Sequence, residues 1–264
     1  MNILDTIIEH KRTEVLLNKA LRPVEVLERK PFFSRETLSL REFLLDPRKT
    51  GIITEFKRRS PSKGAINENA DVIDVTAEYV RGGASGLSVL TDERFFGGSI
   101  EDMDKARQNS IPILRKDFMI DEYQLLEAKA FGADVILLIA ACLTPAAVKK
   151  LAVFARSLGL EVLLEIHNEE ELGHICEETE LVGVNNRDLK TFTVDVERSI
   201  RLLGKIPPEK IMIAESGISR VDTIVRLKKS GFHGFLIGEN FMKEKNPGIA
   251  FQDFAAHLAE AEGK

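Results

Sequence analysis

From Gly51 onward the chain alternates between short apolar runs and longer amphipathic, charged segments. The runs are Gly51–Phe56, Gly86–Leu90, Ile111–Leu114, Val135–Ile139, Leu160–Ile166, Leu181–Val184, Ile211–Ala214 and Gly234–Ile237. They are continuous rather than alternating and rich in Ile, Val and Leu, the pattern of strands buried on both faces of a parallel sheet. Between them apolar residues recur at helical spacing, as at Val148, Leu151, Ala152, Ala155 and Leu158. Several of these segments end in glycine just before the next run, at Gly82-Gly83, Gly132, Gly159 and Gly231, where glycine supplies a left-handed helix stop. Eight strands separated by helices predict an α/β chain folded as a (β/α)8 barrel. The rival is an open doubly wound sheet, but the Gly-x-Gly-x-x-Gly expected after its first strand is absent.

The first residues read differently. Ile3, Leu4, Ile7, Ile8, Val15 and Leu16 form one apolar stripe at helical spacing, and Pro23 and Pro31 then interrupt it. We read residues 1–48 as a helical extension and 49–264 as the barrel, together a single TIM-barrel domain. The length of 264 residues suits this, since such barrels need about 250. Hydrophobic residues at 44% supply a large core, and charged residues at 30%, spread along the chain, supply a solvated surface. A net charge of −5 argues against a nucleic-acid partner, so an anionic ligand would need a local cluster of cations. No apolar run is long enough for a membrane span, and Asp5 and Glu9 interrupt the N-terminal stripe where a secretory signal would be apolar. The two cysteines, Cys142 and Cys176, form no CxxC pair, and the five histidines lack metal-ligand spacing. The expectation is a cytoplasmic protein with no metal, no membrane and no nucleic-acid partner, a monomer or at most a weak homodimer.

In this fold the site lies at the C-terminal ends of the strands, so the residues following each run carry the chemistry. The first run ends in Glu55-Phe56-Lys57; Glu55 and Lys57 are two apart and should share a direction toward the mouth. A long segment from Arg58 to Ala70 follows, either a functional loop or an ordinary basic one. The third run leads into Arg115-Lys116-Asp117-Phe118, and the fifth reaches Glu165. A buried lysine and a buried carboxylate converging from different strands could act as general acid and general base, or form a structural ion pair. The sixth run ends in Asn185-Asn186-Arg187-Asp188, where Arg187 could hold an anion and Asp188 could orient it. Glu215-Ser216-Gly217 and Gly238-Glu239-Asn240 close the seventh and eighth, where this fold recurrently binds phosphate on backbone N–H groups. Cys142 reads as a packed thiol before a nucleophile. Phe95-Phe96 could cover an aromatic ligand or pack in the core.

Taken together these segments resemble the motifs of indole-3-glycerol-phosphate synthases. They are Glu55-Phe56-Lys57-Arg58-Arg59-Ser60-Pro61-Ser62, the stretch from Ser88 to Ser99, Pro112-Ile113-Leu114-Arg115-Lys116-Asp117-Phe118, Gly183-Val184-Asn185-Asn186-Arg187-Asp188-Leu189 and Ala214-Glu215-Ser216-Gly217-Ile218. They occur in order along essentially the whole chain, and the Ile3-Leu4-Asp5 helix resembles the family's extension. The resemblance implies conversion of 1-(2-carboxyphenylamino)-1-deoxyribulose 5-phosphate to indole-3-glycerol phosphate, carbon dioxide and water, a carboxy-lyase step of tryptophan biosynthesis with no cofactor. It implies Lys116 as general acid, Glu165 as base, Lys57 as an assisting cation near the substrate carboxylate and phosphate, and Glu55 as the group that positions the lysines. It assigns Asn185, Arg187, Glu215 and Ser216 to the sugar and the lysines, and Gly217, Gly238 and the N–H of Glu239 to the phosphate. Ser60 and Leu236 are further expected contacts, and Pro61, Phe96, Phe118, Leu137 and Leu189 would hold the anthranilate ring.

Glu239 departs from the family's pattern, because some members carry serine there; its carboxylate is expected to point outward. The alternatives are phosphoribosylanthranilate isomerase, which resembles the chain in fold but relies on a cysteine ending its first strand, and a non-catalytic phosphate-binding barrel.

Overall fold

The computed structural model describes residues 3–188 and 193–263. Eight parallel strands close into a barrel: β1 (Ile52–Phe56), β2 (Gly86–Leu90), β3 (Ile113–Lys116), β4 (Val135–Ile139), β5 (Glu161–Ile166), β6 (Leu181–Asn185), β7 (Ile211–Glu215) and β8 (Gly234–Ile237). Each pairs with its neighbours in sequence, and β1 closes the ring against β8.

Alternation along the strands sorts side chains into two apolar layers. Ile53, Leu114, Val135, Leu137, Ile139, Leu163, Leu181, Ile211, Ile213 and Leu236 fill the barrel interior. Their sequence neighbours, such as Ile52, Phe56, Ile136, Leu138, Val162, Leu164 and Phe235, pack outward against the helices. Following the inward parity upward, apolar residues give way to polar ones: Ile53 to Glu55, Leu114 to Lys116, Leu163 to Glu165, and Ile213 to Glu215. The interior is thus apolar below and ionisable at the top of the same rows.

Three expected strand ends move. The third strand begins at Ile113 rather than Ile111, because Pro112 has no N–H to give a parallel ladder and Ile113 N donates instead to Asp134 Oδ2 at 2.8 Å. The sixth and seventh strands extend by one residue, so Asn185 and Glu215 belong to the ladder and pair with each other in register. The segment after β1 is shorter of loop than expected: Arg59–Ser60 and Gly64–Ala65 form a small antiparallel ladder. After β5 the chain makes a 3-10 turn, Glu169–His174, where a full helix was expected.

The extension reaches both ends of the barrel. The helix Ile3–Leu21 lies over the strand C-termini, where Ile3, Leu4 and Ile7 face the central cavity. Its Lys11 is wholly buried, 3.0 Å from Asp92 beyond β2 and 2.8 Å from Asp117 beyond β3. The helix Leu40–Leu45 plugs the opposite end. Leu40 and Leu44 join the inner apolar layer, and Glu161 at the start of β5 accepts from Ser39 Oγ and the Leu40 and Arg41 N–H groups, satisfying donors at that helix's start.

Candidate active site

The cavity at the strand C-termini has a volume of about 450 Å³ and is lined from every side of the barrel. Near its floor stands Lys116, the last residue of β3. Its Nζ is 3.7 Å from Glu165 Oε2 and 4.0 Å from Glu215 Oε2. Burial alone would drive this lysine toward the neutral form, but the carboxylates of Glu165, Glu55 and Glu215 outweigh it and hold it above the usual lysine range. Burial likewise opposes the charge on Glu165. Lys116 and His167 overcome that opposition and hold it well below the usual carboxylate range. Asn185 Nδ2 donates to Glu165 Oε1 at 3.0 Å and fixes its orientation.

Glu215 goes the other way. Burial and the neighbouring Glu165 push it up to about 8, against the pull of Lys116. Gly183 on β6 makes its position possible: a Cβ there would fall 2.0 Å from Glu215 Oε1. A pair of buried carboxyls with split affinities, one ionised and one holding its proton, can accept a proton and donate one within a single site.

Beside them, Lys57 Nζ lies 2.6 Å from Glu55 Oε1, and Ser88 Oγ donates to Glu55 Oε2 at 3.4 Å. Burial raises Glu55, but Lys57 and Lys116 outweigh it and keep it ionised. Gly238 is required against this pair, since a Cβ would come 2.8 Å from that of Glu55. Ser216 is the one non-glycine residue with positive φ among the described residues, at 67°, followed by Gly217 at 70°. The strain of Ser216 is of the kind found at binding sites.

The other candidates fall as follows. Ser60, Pro61, Phe96, Phe118, Leu137, Leu236, Arg187 and Glu239 all line the cavity with the groups above. Phe96 and Phe118 form an aromatic wall, with centroids 5.9 Å apart and planes tilted by 41°. Phe95 faces elsewhere, edge-on to His10 of the N-terminal helix. Leu189 lies outside the described residues. Asp188 reaches Arg198 at 3.4 Å, while the Arg187 guanidinium turns to Glu239 at 3.6 Å.

Glu239 does not point outward. Its carboxylate bridges Arg187 and Lys63, the latter at 3.4 Å. Two cations from the β1 and β6 ends converge over the mouth and draw it across. Cys142, beyond β4, carries a thiol that burial and the nearby carboxylates push up to about 12, so it packs as a neutral group.

Several residues that matter escaped the sequence reading. His167 sits directly behind Glu165, and its signal was the Glu-x-His spacing across the end of β5. Lys243 adds a cation to the rim, Lys63 joins it through Glu239, and Ile3, Leu4 and Ile7 form part of the roof. Arg115, before Lys116, faces away from the barrel, while Asp117, after it, reaches the cavity edge but turns its carboxylate to Thr91 and Lys11. Arg115 bonds Thr91, Gln124, Asp117 and Glu127.

The model of the indole-3-glycerol phosphate synthase family matches residues 4–254. The chain belongs to the indole-3-glycerol phosphate synthase family. Relatives bearing that name include one from Bacteroides thetaiotaomicron, 49% identical over 254 residues, covering 96% of this chain and 97% of the relative. Another from Salinibacter ruber is 43% identical, with 97% and 96% covered. Among solved structures, the tryptophan synthase alpha subunit of Legionella pneumophila superposes with a TM-score of 0.62 at 14% identity, covering 84% of this chain and 97% of that one. The alpha subunit of Pyrococcus furiosus gives 0.60 at 16%, covering 82% and 99%. At such identities the likeness concerns the barrel alone. The isomerase alternative required a cysteine ending β1, and Glu55 and Lys57 stand there instead.

Proposed function

We propose that this member of the indole-3-glycerol phosphate synthase family closes the indole ring of 1-(2-carboxyphenylamino)-1-deoxyribulose 5-phosphate, with loss of carbon dioxide and water, and is thereby a carboxy-lyase. The observation that carries the reading is Lys116 held between Glu165 and Glu215 above an apolar barrel floor, beside the Glu55–Lys57 pair.

The chemistry needs a proton at the ketone oxygen as the ring carbon attacks. Lys116 is charged and buried, a donor placed in low dielectric where its field is strong. Loss of the carboxylate as carbon dioxide returns its bonding electrons to the ring and restores the aromatic amine. Dehydration then removes a proton from carbon and expels hydroxide as water. Glu165 is the ionised carboxylate placed to take that proton. Glu215, holding its own proton, and Asn185 orient the sugar hydroxyls. Phe96 and Phe118, with Pro61 and Leu137, offer apolar surface to the anthranilate ring. The substrate carboxylate and phosphate fit the cations of Lys57, Lys63 and Arg187 and the N–H groups around Ser216-Gly217 and Gly238-Glu239.

The test is a steady-state fluorescence assay with the purified carboxyphenylamino sugar phosphate. Turnover to an indole, with its change in emission, is expected. Quenching or enhancement without product would make the chain a binder and end the proposal.

A further inference from the structure

His167 follows Glu165 by two residues on the β5 side, yet it does not line the cavity. It stands behind the base. Its Nε2 is 3.1 Å from Glu165 Oε1, an ion-pair contact set off the line of a hydrogen bond. The aligned bond to that oxygen comes from Asn185. On the far side, Nδ1 is 3.3 Å from Glu171 Oε2, and the His167 backbone N–H donates to the same oxygen at 2.6 Å. Asn168 Nδ2 bonds the other oxygen of Glu171 at 3.3 Å. The ring is buried, so a carboxylate–imidazole–carboxylate line runs from the cavity to the 3-10 turn Glu169–His174.

This arrangement answers a difficulty in the proposed reaction. Each turnover places one proton on the ketone oxygen and one on the departing hydroxyl, and takes one proton from carbon. Once Lys116 has given up its proton, the largest charge holding Glu165 ionised is gone. Without another cation, a buried carboxylate would then take up a proton and cease to be a base.

We infer that His167, clamped by Glu171, is a positioning residue for Glu165: a cation outside the cavity that keeps the base ionised and aimed while Lys116 is neutral. The inference rests on the reaction proposed above. Burial opposes a charge on the imidazole, but the adjacent carboxylates of Glu165 and Glu171 overcome this and raise it to about 10, so the ring is charged throughout the neutral range. The other ionisable groups around it are consistent with this. Lys116 on β3 and Glu215 on β7 lie beyond Glu165. The Cys142 thiol after β4 is neutral. His174 on the 3-10 turn is engaged with the Leu143 and Glu171 carbonyls.

The experiment is the pH profile of kcat and KM for wild type, His167→Gln and Glu171→Gln, with folding checked by circular dichroism. Glutamine keeps a polar side chain at position 167 without the charge. We expect the acid limb of kcat in His167→Gln to move upward by on the order of one pH unit, so that activity falls about tenfold on the limb and recovers at alkaline pH. KM should stay within about twofold. Glu171→Gln, which removes the clamp and leaves the ring, should move the limb the same way by less. A profile lowered uniformly with no displaced limb, an effect confined to KM, or wild-type behaviour would each overturn the inference while leaving the reaction standing. If His167→Gln fails to fold, Glu171→Gln decides alone. Absence of turnover by the wild type would remove the reaction, and the positioning role with it.

Discussion

Lys116 and Glu165 occupy the same inward rows as Leu114 and Leu163, so replacing either leaves the apolar layer below intact. Lys116→Met preserves the stem and removes the proton donor. It should fold normally and lose activity by about two to four orders of magnitude in kcat, read by steady-state assay with a melting curve as the control. Near wild-type kcat would refute the role. Glu165→Gln should lower kcat more than it raises KM; a change confined to KM would make Glu165 a binding residue. The same site sets a pH dependence of stability. His167 is raised from 6.5 to about 10, so its contribution is complete below 6.5 and is lost as pH rises through 10. Glu215 is raised from 4.5 to about 8, so the folded state holds its proton more tightly and stability falls as pH climbs from 4.5 through 8. Both act in one direction. The melting temperature should therefore decline from about pH 6 to pH 10, and His167→Gln should flatten the upper part of that decline. A wild-type Tm constant across this range would contradict the assigned ionisation states.

At the level of elements, the N-terminal helix is tied down through a charge. Lys11 carries its ammonium into a fully buried spot shared by Asp92 and Asp117. Lys11→Met leaves two buried carboxylates facing each other, and breaking a buried pair in this way costs about 3–5 kcal/mol. Urea unfolding should show that loss; a loss below about 1 kcal/mol, the size expected of a surface pair, would mean that the helix is held by its apolar stripe instead. How legible these elements were follows from what each signal measures. The eight strands were readable because burial on both faces writes a continuous apolar run. The polar strand ends were readable because Lys116, Glu165 and Glu215 interrupt those runs where hydrophobic residues would be cheaper. Lys11 was not, because its partners lie far along the chain and its stripe alone says only that some face is covered. The small ladder Arg59–Ser60 with Gly64–Ala65 is too short to show a period. The 3-10 turn after β5 opens on an acidic run, Glu169-Glu170-Glu171, that a helical pattern also admits. Glu239 defeated the reading because its direction is set by Arg187 and Lys63, which only the closed barrel brings together.

For the molecule as a whole, the question is how a chain of net charge −5 takes a substrate bearing a carboxylate and a phosphate. The attraction has to be local. Lys57, Arg187 and Lys243 line the cavity, and Lys63 reaches its rim through Glu239, while exposed charges farther off than the screening length of about 8 Å at physiological ionic strength act on it only weakly. Lys57 is already committed to Glu55, which leaves Arg187, Lys63 and Lys243 at the rim, and Glu239 competes for the first two. Two consequences can be measured together. Raising salt from about 0.05 to about 0.5 M should increase KM and leave kcat within about twofold, because the ammonium and carboxylates on the floor are screened far less than the rim. Glu239→Gln should lower KM at low salt, since it frees Arg187 and Lys63, and the advantage should shrink as salt rises. A higher KM in Glu239→Gln would show that the carboxylate organises the two cations for the substrate instead of competing with it, and would reverse the role assigned to this residue.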